Sequence, residues 1–435
     1  MIRYNKETNN GLIHYAGVCF TITALTVAFA FSLYLADNGL YRWSAENYPL
    51  LTTFWKYTAF GLSLFVLAIS VLLSPIPMRI GLYRRIAKVQ PRWTGFLPAF
   101  HHGVEWGYTL TDLYKNDLTG QTAIITGGNS GIGYEAALAL SRLGASVIIA
   151  GRNIHKCNKA AEIIRADKDS RGPVTAMVVD VSSLESVRNF VIEFCKREET
   201  LDMLFLNAGI ASAGSNSKDG SATLSVDGIE KVFATNLLGH HLMYRLLEPK
   251  IQKQSKPTRI VLTSSGSSFR NNPSALHKIM TDLKTLNHYD PNIDGHARYR
   301  QTKLGQIMWT KELTRRLAAV GNDSNNNNNS TSHVFVNSYH PGVVDTPIFD
   351  KDPNIAPSAK KLISYVRKNV LWSATDASLT MLYLGVAVDD LIKKNVRGKY
   401  FHPVAHEVTH PLANNEKQQM RLWAFLDELT KTYVD

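Results

Sequence analysis

Thr126-Gly127-Gly128-Asn129-Ser130-Gly131-Ile132-Gly133 decides how this 435-residue chain is read. It follows directly on the apolar run Thr122–Thr126 and opens an amphipathic stretch, Ile132–Leu143. A strand that runs into glycines and then a helix gathers free N–H groups and the positive end of a helix dipole at one spot, an arrangement suited to phosphate. Gly127 permits the tight turn, Gly131 lets backbone approach a pyrophosphate, and Gly133 lets helix and strand pack closely. Outward from this loop, further strand candidates are Ser146–Ala150, Thr175–Val179, Met203–Leu206, Arg259–Thr263, Val334–Ser338 and Lys399–Phe401. Amphipathic stretches such as Leu184–Cys195 and Tyr299–Leu317 separate them. Strands alternating with helices predict a parallel sheet with helices on both faces and right-handed connections. The expected fold class is therefore α/β, a doubly wound dinucleotide-binding sheet of about seven strands.

The spacing of the loop, Gly-x-x-x-Gly-x-Gly, departs from the general Rossmann fingerprint, and other short segments follow it in order. Ala150-Gly151-Arg152-Asn153 ends the second strand. A carboxylate there would hold a ribose 2′-hydroxyl; Arg152 offers instead a planar cation for a 2′-phosphate, or a surface to stack on adenine. Asp180 ends the third strand, and Asn207-Ala208-Gly209 follows the fourth. Asn236 sits within Phe233-Ala234-Thr235-Asn236-Leu237-Leu238-Gly239, and the fifth strand ends in Ser264-Ser265. Tyr299 and Lys303 lie four apart, on one face of a helix. His340-Pro341-Gly342-Val343-Val344-Asp345-Thr346 closes the series. Over roughly residues 115–403 this set resembles the short-chain dehydrogenase/reductase family of the Rossmann class. Gly151-Arg152-Asn153, Asn236–His241 and Gly398-Lys399-Tyr400-Phe401 resemble its retinol-dehydrogenase-like branch.

The resemblance implies hydride transfer between a nicotinamide cofactor and a carbonyl or alcohol. Tyr299 is then the general acid/base: a phenol with a pKa near 10 is a poor base at neutral pH, and the Lys303 ammonium is expected to lower it. Lys303 is also expected to reach the nicotinamide ribose. Ser265, with Ser264 as the alternative one residue away, is expected to hold the substrate oxygen. Asn236 is expected to organise a water linked to the lysine. Gly127, Asn129, Ser130, Gly131, Ile132, Gly133, Arg152, Asp180, Asn207, Ala208 and Gly209 should line the cofactor, with Pro341, Gly342 and Thr346 beside the nicotinamide. Arg152 favours NADP(H) over NAD(H). Helix pairing, common in the family, makes a homodimer an expectation of the resemblance alone.

The first hundred residues differ in kind. Ile13–Ala36 and Tyr57–Pro77 are uncharged, apolar runs, each close to the roughly 20 residues needed to cross a bilayer. The first is longer than a signal-peptide core and lacks a clear cleavage pattern. Residues 1–78 are thus expected to form a transmembrane helical hairpin, 79–116 a basic juxtamembrane linker and 117–435 the dinucleotide-binding domain. Arg3 and Lys6 precede the first span, and Arg79, Arg84, Arg85, Lys88 and Arg92 follow the second. This bias predicts a cytosolic catalytic domain, on an endoplasmic reticulum membrane by default, with anionic lipid against the basic run. The net charge of +12 is spread along the chain without aromatic-interleaved clusters, which argues against nucleic acid. Three scattered cysteines build no disulfide framework.

His406-Glu407-Val408-Thr409-His410 has the form of a zinc-hydrolase signature. That chemistry needs both histidines on one helix, and Pro403 and Pro411 leave little room for one; a surface loop without metal is expected. Asn325–Asn329 reads as a low-complexity loop within 322–332, with sequons at Asn322, Asn328 and Asn329. Ile348, Phe349, Ile355, Leu362 and Tyr365, where the family has its lid, suit a lipophilic substrate or ordinary packing equally. A non-catalytic NADP(H)-binding scaffold would have been favoured by loss of a catalytic residue, and none is lost.

Overall fold

A computed structural model describes residues 107–198, 200–211, 223–270, 283–287, 297–322, 333–344 and 371–434. The two apolar runs at 13–36 and 57–77 lie outside these. Among the described residues no helix is long and apolar enough to cross a membrane. The chain divides after Glu105. Residues 108–116, read from the sequence as the end of a linker, belong to the folded unit. Tyr108 and Leu113 are buried, and Leu110–Leu113 is a helical turn held by a reciprocal Thr109–Asp112 capping box.

The elements follow in order: β1 (Thr122–Thr126), α1 (Gly131–Arg142), β2 (Ser146–Gly151), α2 (Ile154–Arg165), β3 (Val174–Val178), α3 (Leu184–Arg197) and β4 (Met203–Leu206). A composite helix then passes through Lys231–Phe233 and a π-helical turn, Ala234–Leu238, into α4 (Gly239–Gln252). Next come β5 (Thr258–Thr263), α5 (Ala297–Asn322), β6 (Val334–Tyr339), α6 (Ala374–Val386), β7 (Tyr400–His402), β8 (His406–Glu407) and α7 (Glu416–Val434). The strand order is 3-2-1-4-5-6-7-8. All pairings are parallel except the last. The seven expected strands are present within about a residue of their predicted ends; the eighth, antiparallel to β7, was not expected.

Strand composition explains the layers. β1, β4 and β5 are buried along their whole length, as parallel strands covered on both faces must be. Alternate residues serve opposite sides: Ile124, Ile148, Leu204 and Ile260 face the cluster containing α3, α4, α5 and α7. Ile125, Ile149, Phe205 and Val261 face the cluster containing α1, α2 and α6. On the first side α7 lies across α4 and α5. Trp423 stacks on Trp309 at 5.7 Å, and Asp427 pairs with Arg245 and, at 3.0 Å, with His241 Nε2. Asn153 and Ser183 supply side-chain N-caps to α2 and α3.

Arg259 in β5 is a buried cation with only 2% exposure. Its Nε donates to Gly385 O at 2.7 Å, Nη1 to Pro257 O at 2.6 Å and Nη2 to Gln121 Oε1 at 2.6 Å. These bonds fasten α6 to the amino end of the sheet. Arg259→Met is expected to lower unfolding free energy by about 3 kcal/mol, because it strands these acceptors in the interior; urea denaturation followed by circular dichroism checks it.

Candidate active site

The segments singled out in the sequence converge at the carboxyl ends of the parallel strands, where the order reverses between β1 and β4. Ligands of open α/β sheets bind at such an edge. Gly127 (φ +69°) and Gly131 (φ +57°) adopt left-handed backbone, which other residues enter at a cost. A Cβ on Gly133 would stand 2.6 Å from Gly127 O and 2.7 Å from Asn207 Nδ2, so α1 could not lie this close to the loop with any side chain there. A Cβ on Gly131 would meet nothing within 4 Å, leaving the helix N-terminus accessible. Ser130 occupies the N-cap but spends no side-chain bond on capping. Its hydroxyl and the first N–H groups of α1, starting at Gly131 and Ile132, have the donor chemistry a pyrophosphate needs. Asn129 Oδ1 lies 3.3 Å from the Cβ position of Gly151, which brings the exposed Arg152 beside this loop. Asp180, half-buried after β3, accepts from Ser182 N at 3.0 Å and Ser182 Oγ at 2.7 Å through Oδ1.

The Asn207-Ala208-Gly209 turn hangs on Thr126. The N–H groups of Asn207 and Ala208 donate to Thr126 Oγ1 at 2.9 and 3.0 Å, and Asn207 Nδ2 donates to Thr126 O at 3.0 Å. The other end of the turn is clamped by Asn236, whose Oδ1 accepts from Ile210 N at 2.8 Å. Asn236 Nδ2 donates to Ile210 O and Thr302 Oγ1, both at 3.0 Å. Asn236 lies in the π-helical turn, where the helical ladder is displaced. Its backbone carbonyl accepts Gln306 Nε2 at 2.7 Å. A side chain on Gly209 would start 3.2 Å from Asn236 Oδ1 and 3.4 Å from Lys303 Nζ; the absence of one keeps open the space between these two groups.

Lys303 Nζ donates to Thr263 O at 2.6 Å and lies 5.5 Å from the Tyr299 ring centre. The Tyr299 phenol hydrogen-bonds Ser265. The Ser-Ser ambiguity is thereby separated geometrically: Ser264 Oγ points inward and donates to Lys303 O at 2.6 Å. Ser265 Oγ instead accepts from Ser267 N at 3.2 Å and Ser267 Oγ at 2.9 Å. With both lone pairs so engaged, its own proton is directed outward, towards Tyr299. Gly342 (φ +84°) receives Trp372 edge-on; a Cβ would stand 2.2 Å from Trp372 Cδ1. Gly342 N donates to His340 Nδ1 at 3.0 Å, which holds the Pro341-Gly342 turn to the end of β6. Thr346 and the candidate lid residues between 345 and 370 lie outside the described residues.

Comparison with known proteins gives the family. The short chain dehydrogenase family pattern matches residues 121–277. Human retinol dehydrogenase 13 is 33% identical over 314 residues, 71% of this chain and 84% of that protein. The chain belongs to the short-chain dehydrogenase/reductase family. Human polyprenol dehydrogenase is 30% identical over 313 residues, covering 71% of this chain and 85% of that protein. Among solved structures, an uncharacterised protein from Mycobacterium paratuberculosis is 26% identical with a TM-score of 0.53, over 75% of this chain and 98% of that one. As a member of this family, the chain is an oxidoreductase with a nicotinamide-cofactor fold.

The electrostatics of this short-chain dehydrogenase depart from the expected direction. The Lys303 ammonium was expected to lower the Tyr299 phenol. Instead, burial pushes that phenol above its ordinary value, and the Ser265 hydrogen bond opposes the rise. Lys303 is itself buried and pulled down to about 7 from 10.5. Its ammonium is turned to a backbone carbonyl rather than to the phenol.

The zinc-like motif does not fold as one helix. His406 and Glu407 form β8, Glu407 pairs with Lys399 Nζ at 2.7 Å, and buried His410 stacks on Phe269 at 4.2 Å. The expected loop is therefore a strand and turn. Sequence reasoning missed Ser267, Gln306 and Trp372, which act on the named residues through contacts that no spacing encodes. Replacing Ser265 with Ala is expected to cut kcat by roughly 10²–10³, whereas Ser264→Ala costs about 1–2 kcal/mol of stability and far less turnover. Steady-state kinetics and thermal melts on the two variants check both.

Proposed function

We propose that this chain is a membrane-anchored reductase or dehydrogenase that moves hydride between NADP(H) and a lipophilic carbonyl or alcohol. The observation that carries the reading is the convergence of Tyr299, Ser265 and Lys303 at the end of β5, beside a glycine loop built for pyrophosphate. A bound nicotinamide cofactor supplies the hydride chemistry. Ser130, Gly131, Ile132 and their neighbours would hold its pyrophosphate, and Arg152 the 2′-phosphate that marks NADP(H). Ser265, its lone pairs engaged by Ser267, donates to the substrate oxygen and positions it against Tyr299. Tyr299 gives its proton to that oxygen in reduction and takes it back in oxidation. Lys303 brings positive charge to the phenol as the site fills, and Asn236 keeps the Gly209–Ile210 backbone clear of the lysine.

The substrate class rests on two supports. Relatives at 30–33% identity are named for retinol and polyprenol, both alcohols with long hydrocarbon skeletons. The apolar runs at 13–36 and 57–77 would hold the enzyme at a bilayer, where such compounds concentrate. The flanking cations put the catalytic domain on the cytosolic side of, by default, the endoplasmic reticulum.

Detergent-solubilised protein is expected to oxidise NADPH faster than NADH with retinoid or polyprenoid aldehydes, and Tyr299→Phe to abolish turnover. Tight NADPH binding without turnover on any lipophilic carbonyl would favour a scaffold instead. Lys303 adds a pH signature. Its folded-state value near 7 means that a polyanionic cofactor, which favours the ammonium, draws in a proton above pH 7. Affinity for NADPH should therefore strengthen as pH falls through 7 and level off below it. Calorimetry at pH 8 in buffers of different ionisation enthalpy should show this uptake, and Lys303→Met should remove it. For topology, Asn328 and Asn329 should stay unglycosylated in cells; glycan there would place the domain in the lumen.

A further inference from the structure

We propose that His240, through one fixed tautomer, is a positioning residue that couples the π-helical turn carrying Asn236 to the cofactor-side turns. The proposal rests on the functional reading above.

His240 is 1% exposed, directly after Gly239 at the start of α4. Its Nδ1 lies 3.3 Å from Asn236 O, and its Nε2 lies 3.1 Å from Thr126 Oγ1. A carbonyl oxygen only accepts, so Nδ1 carries the proton. At the other nitrogen the partner decides. Thr126 Oγ1 already accepts the N–H groups of Asn207 and Ala208, at 2.9 and 3.0 Å, which occupies both its lone pairs. It can only donate to His240, and for its single proton the other acceptor within reach is Phe205 O at 3.2 Å. Nε2 is therefore the bare, accepting nitrogen. A proton there would face an oxygen with nothing to accept it, and burial likewise holds the imidazole neutral, down to about 3.

Neutral His240 thus closes a bridge. One end is Asn236 O, which also receives Gln306 Nε2 at 2.7 Å. The other end is Thr126, whose hydroxyl carries the Asn207–Ala208 backbone and whose chain continues into Gly127. Asn236 in turn clamps Ile210, at the far end of the same turn. The loop that flanks the cofactor is consequently tied at both ends to one helical turn, and His240 is the cross-link. The neighbouring His241 has the opposite tautomer and a different task. Its Nδ1 accepts Trp309 Nε1 at 3.0 Å and its Nε2 donates to Asp427 at 3.0 Å, on the α7 side.

The test uses full-length, detergent-solubilised protein with NADPH as the probe. His240→Phe keeps ring volume and removes both bonds; Thr126→Val removes the hydroxyl at near-constant shape. Each is expected to weaken NADPH binding roughly tenfold, the equivalent of about one buried hydrogen bond. Because the two act through one bridge, the double variant should be no weaker than the worse single. His240→Gln, which can accept the Thr126 proton through Oε1, should recover most of the affinity; KM for the carbonyl substrate should move less than twofold throughout. Losses that add in the double variant, or no recovery in His240→Gln, overturn the bridge. So does a folded His240→Phe with wild-type affinity. If His240→Phe does not fold, Thr126→Val and His240→Gln decide alone: weak binding in the first with near-wild-type binding in the second supports the bridge, and any other pairing overturns it. Wild-type protein that binds no NADPH sinks the functional reading itself.

Discussion

Parallel strands that are apolar on both faces must be covered on both faces, and that requirement organises this molecule. β1, β4 and β5 expose almost nothing. Alternate residues of each strand feed two separate clusters, Ile124 to one and Ile125 to the other. Covering both faces while keeping neighbouring strands parallel forces helical crossovers, and right-handed crossovers return every loop of one kind to the same edge. The functional residues have diverse neighbours in sequence, yet they meet because all of them follow the carboxyl ends of strands. The close fit of α1 to this edge depends on Gly133, where a Cβ would collide with Gly127 O at 2.6 Å.

This constraint explains what the sequence could say. Short β-rich runs separated by amphipathic stretches encode the sheet, and glycines at 127, 131 and 133 encode a turn that admits few other residues; both are local signals. The eighth strand is not legible in this way. β8 has two residues and pairs with β7 across a three-residue stretch, so its period is too short to read. The inclusion of Tyr108 and Leu113 in the core depends on what they touch, Tyr383 at 5.2 Å among others. The basic segment before them resembles a linker in composition alone. Within the site, Tyr299, Lys303 and Asn236 were legible as a spaced set. Choosing between Ser264 and Ser265 was not, because the choice depends on which hydroxyl reaches Lys303 O across the sheet edge. Ser267 and Gln306 carry no motif of their own and matter only through the atoms they hold.

The two adjacent histidines show how position outweighs residue type. Both are fully buried, and burial lowers the pKa of both. His240 faces the sheet edge and bonds a carbonyl and a threonine. His241, one residue further round α4, bonds an indole and a carboxylate on α7. The partners fix opposite tautomers, so the same side chain serves the active-site loop at one position and the docking of the last helix at the next. Composition marks both as histidines in an apolar helix and goes no further.

The protonation of Tyr299 and Lys303 follows from the same burial. A phenol raised above its ordinary value is a neutral acid at physiological pH, the form that donates a proton to a carbonyl oxygen. A lysine near 7 is only partly charged and is turned to Thr263 O, 5.5 Å from the ring centre. On their own, then, these two groups offer an acid and not a base. Oxidation needs a phenolate, which at the partly buried Tyr299 is favoured by a full ammonium beside it. On the proposed reading, Lys303 would take up a proton when an anionic cofactor is held beside it, and that charge would make the base available. A permanently charged lysine would have to be hydrated or paired, and Lys303, with 3% exposure, is bonded to a neutral carbonyl, Thr263 O. Burying Lys303 would thereby tie the acid–base power proposed for Tyr299 to occupancy of the neighbouring site, using the desolvation that the fold already imposes.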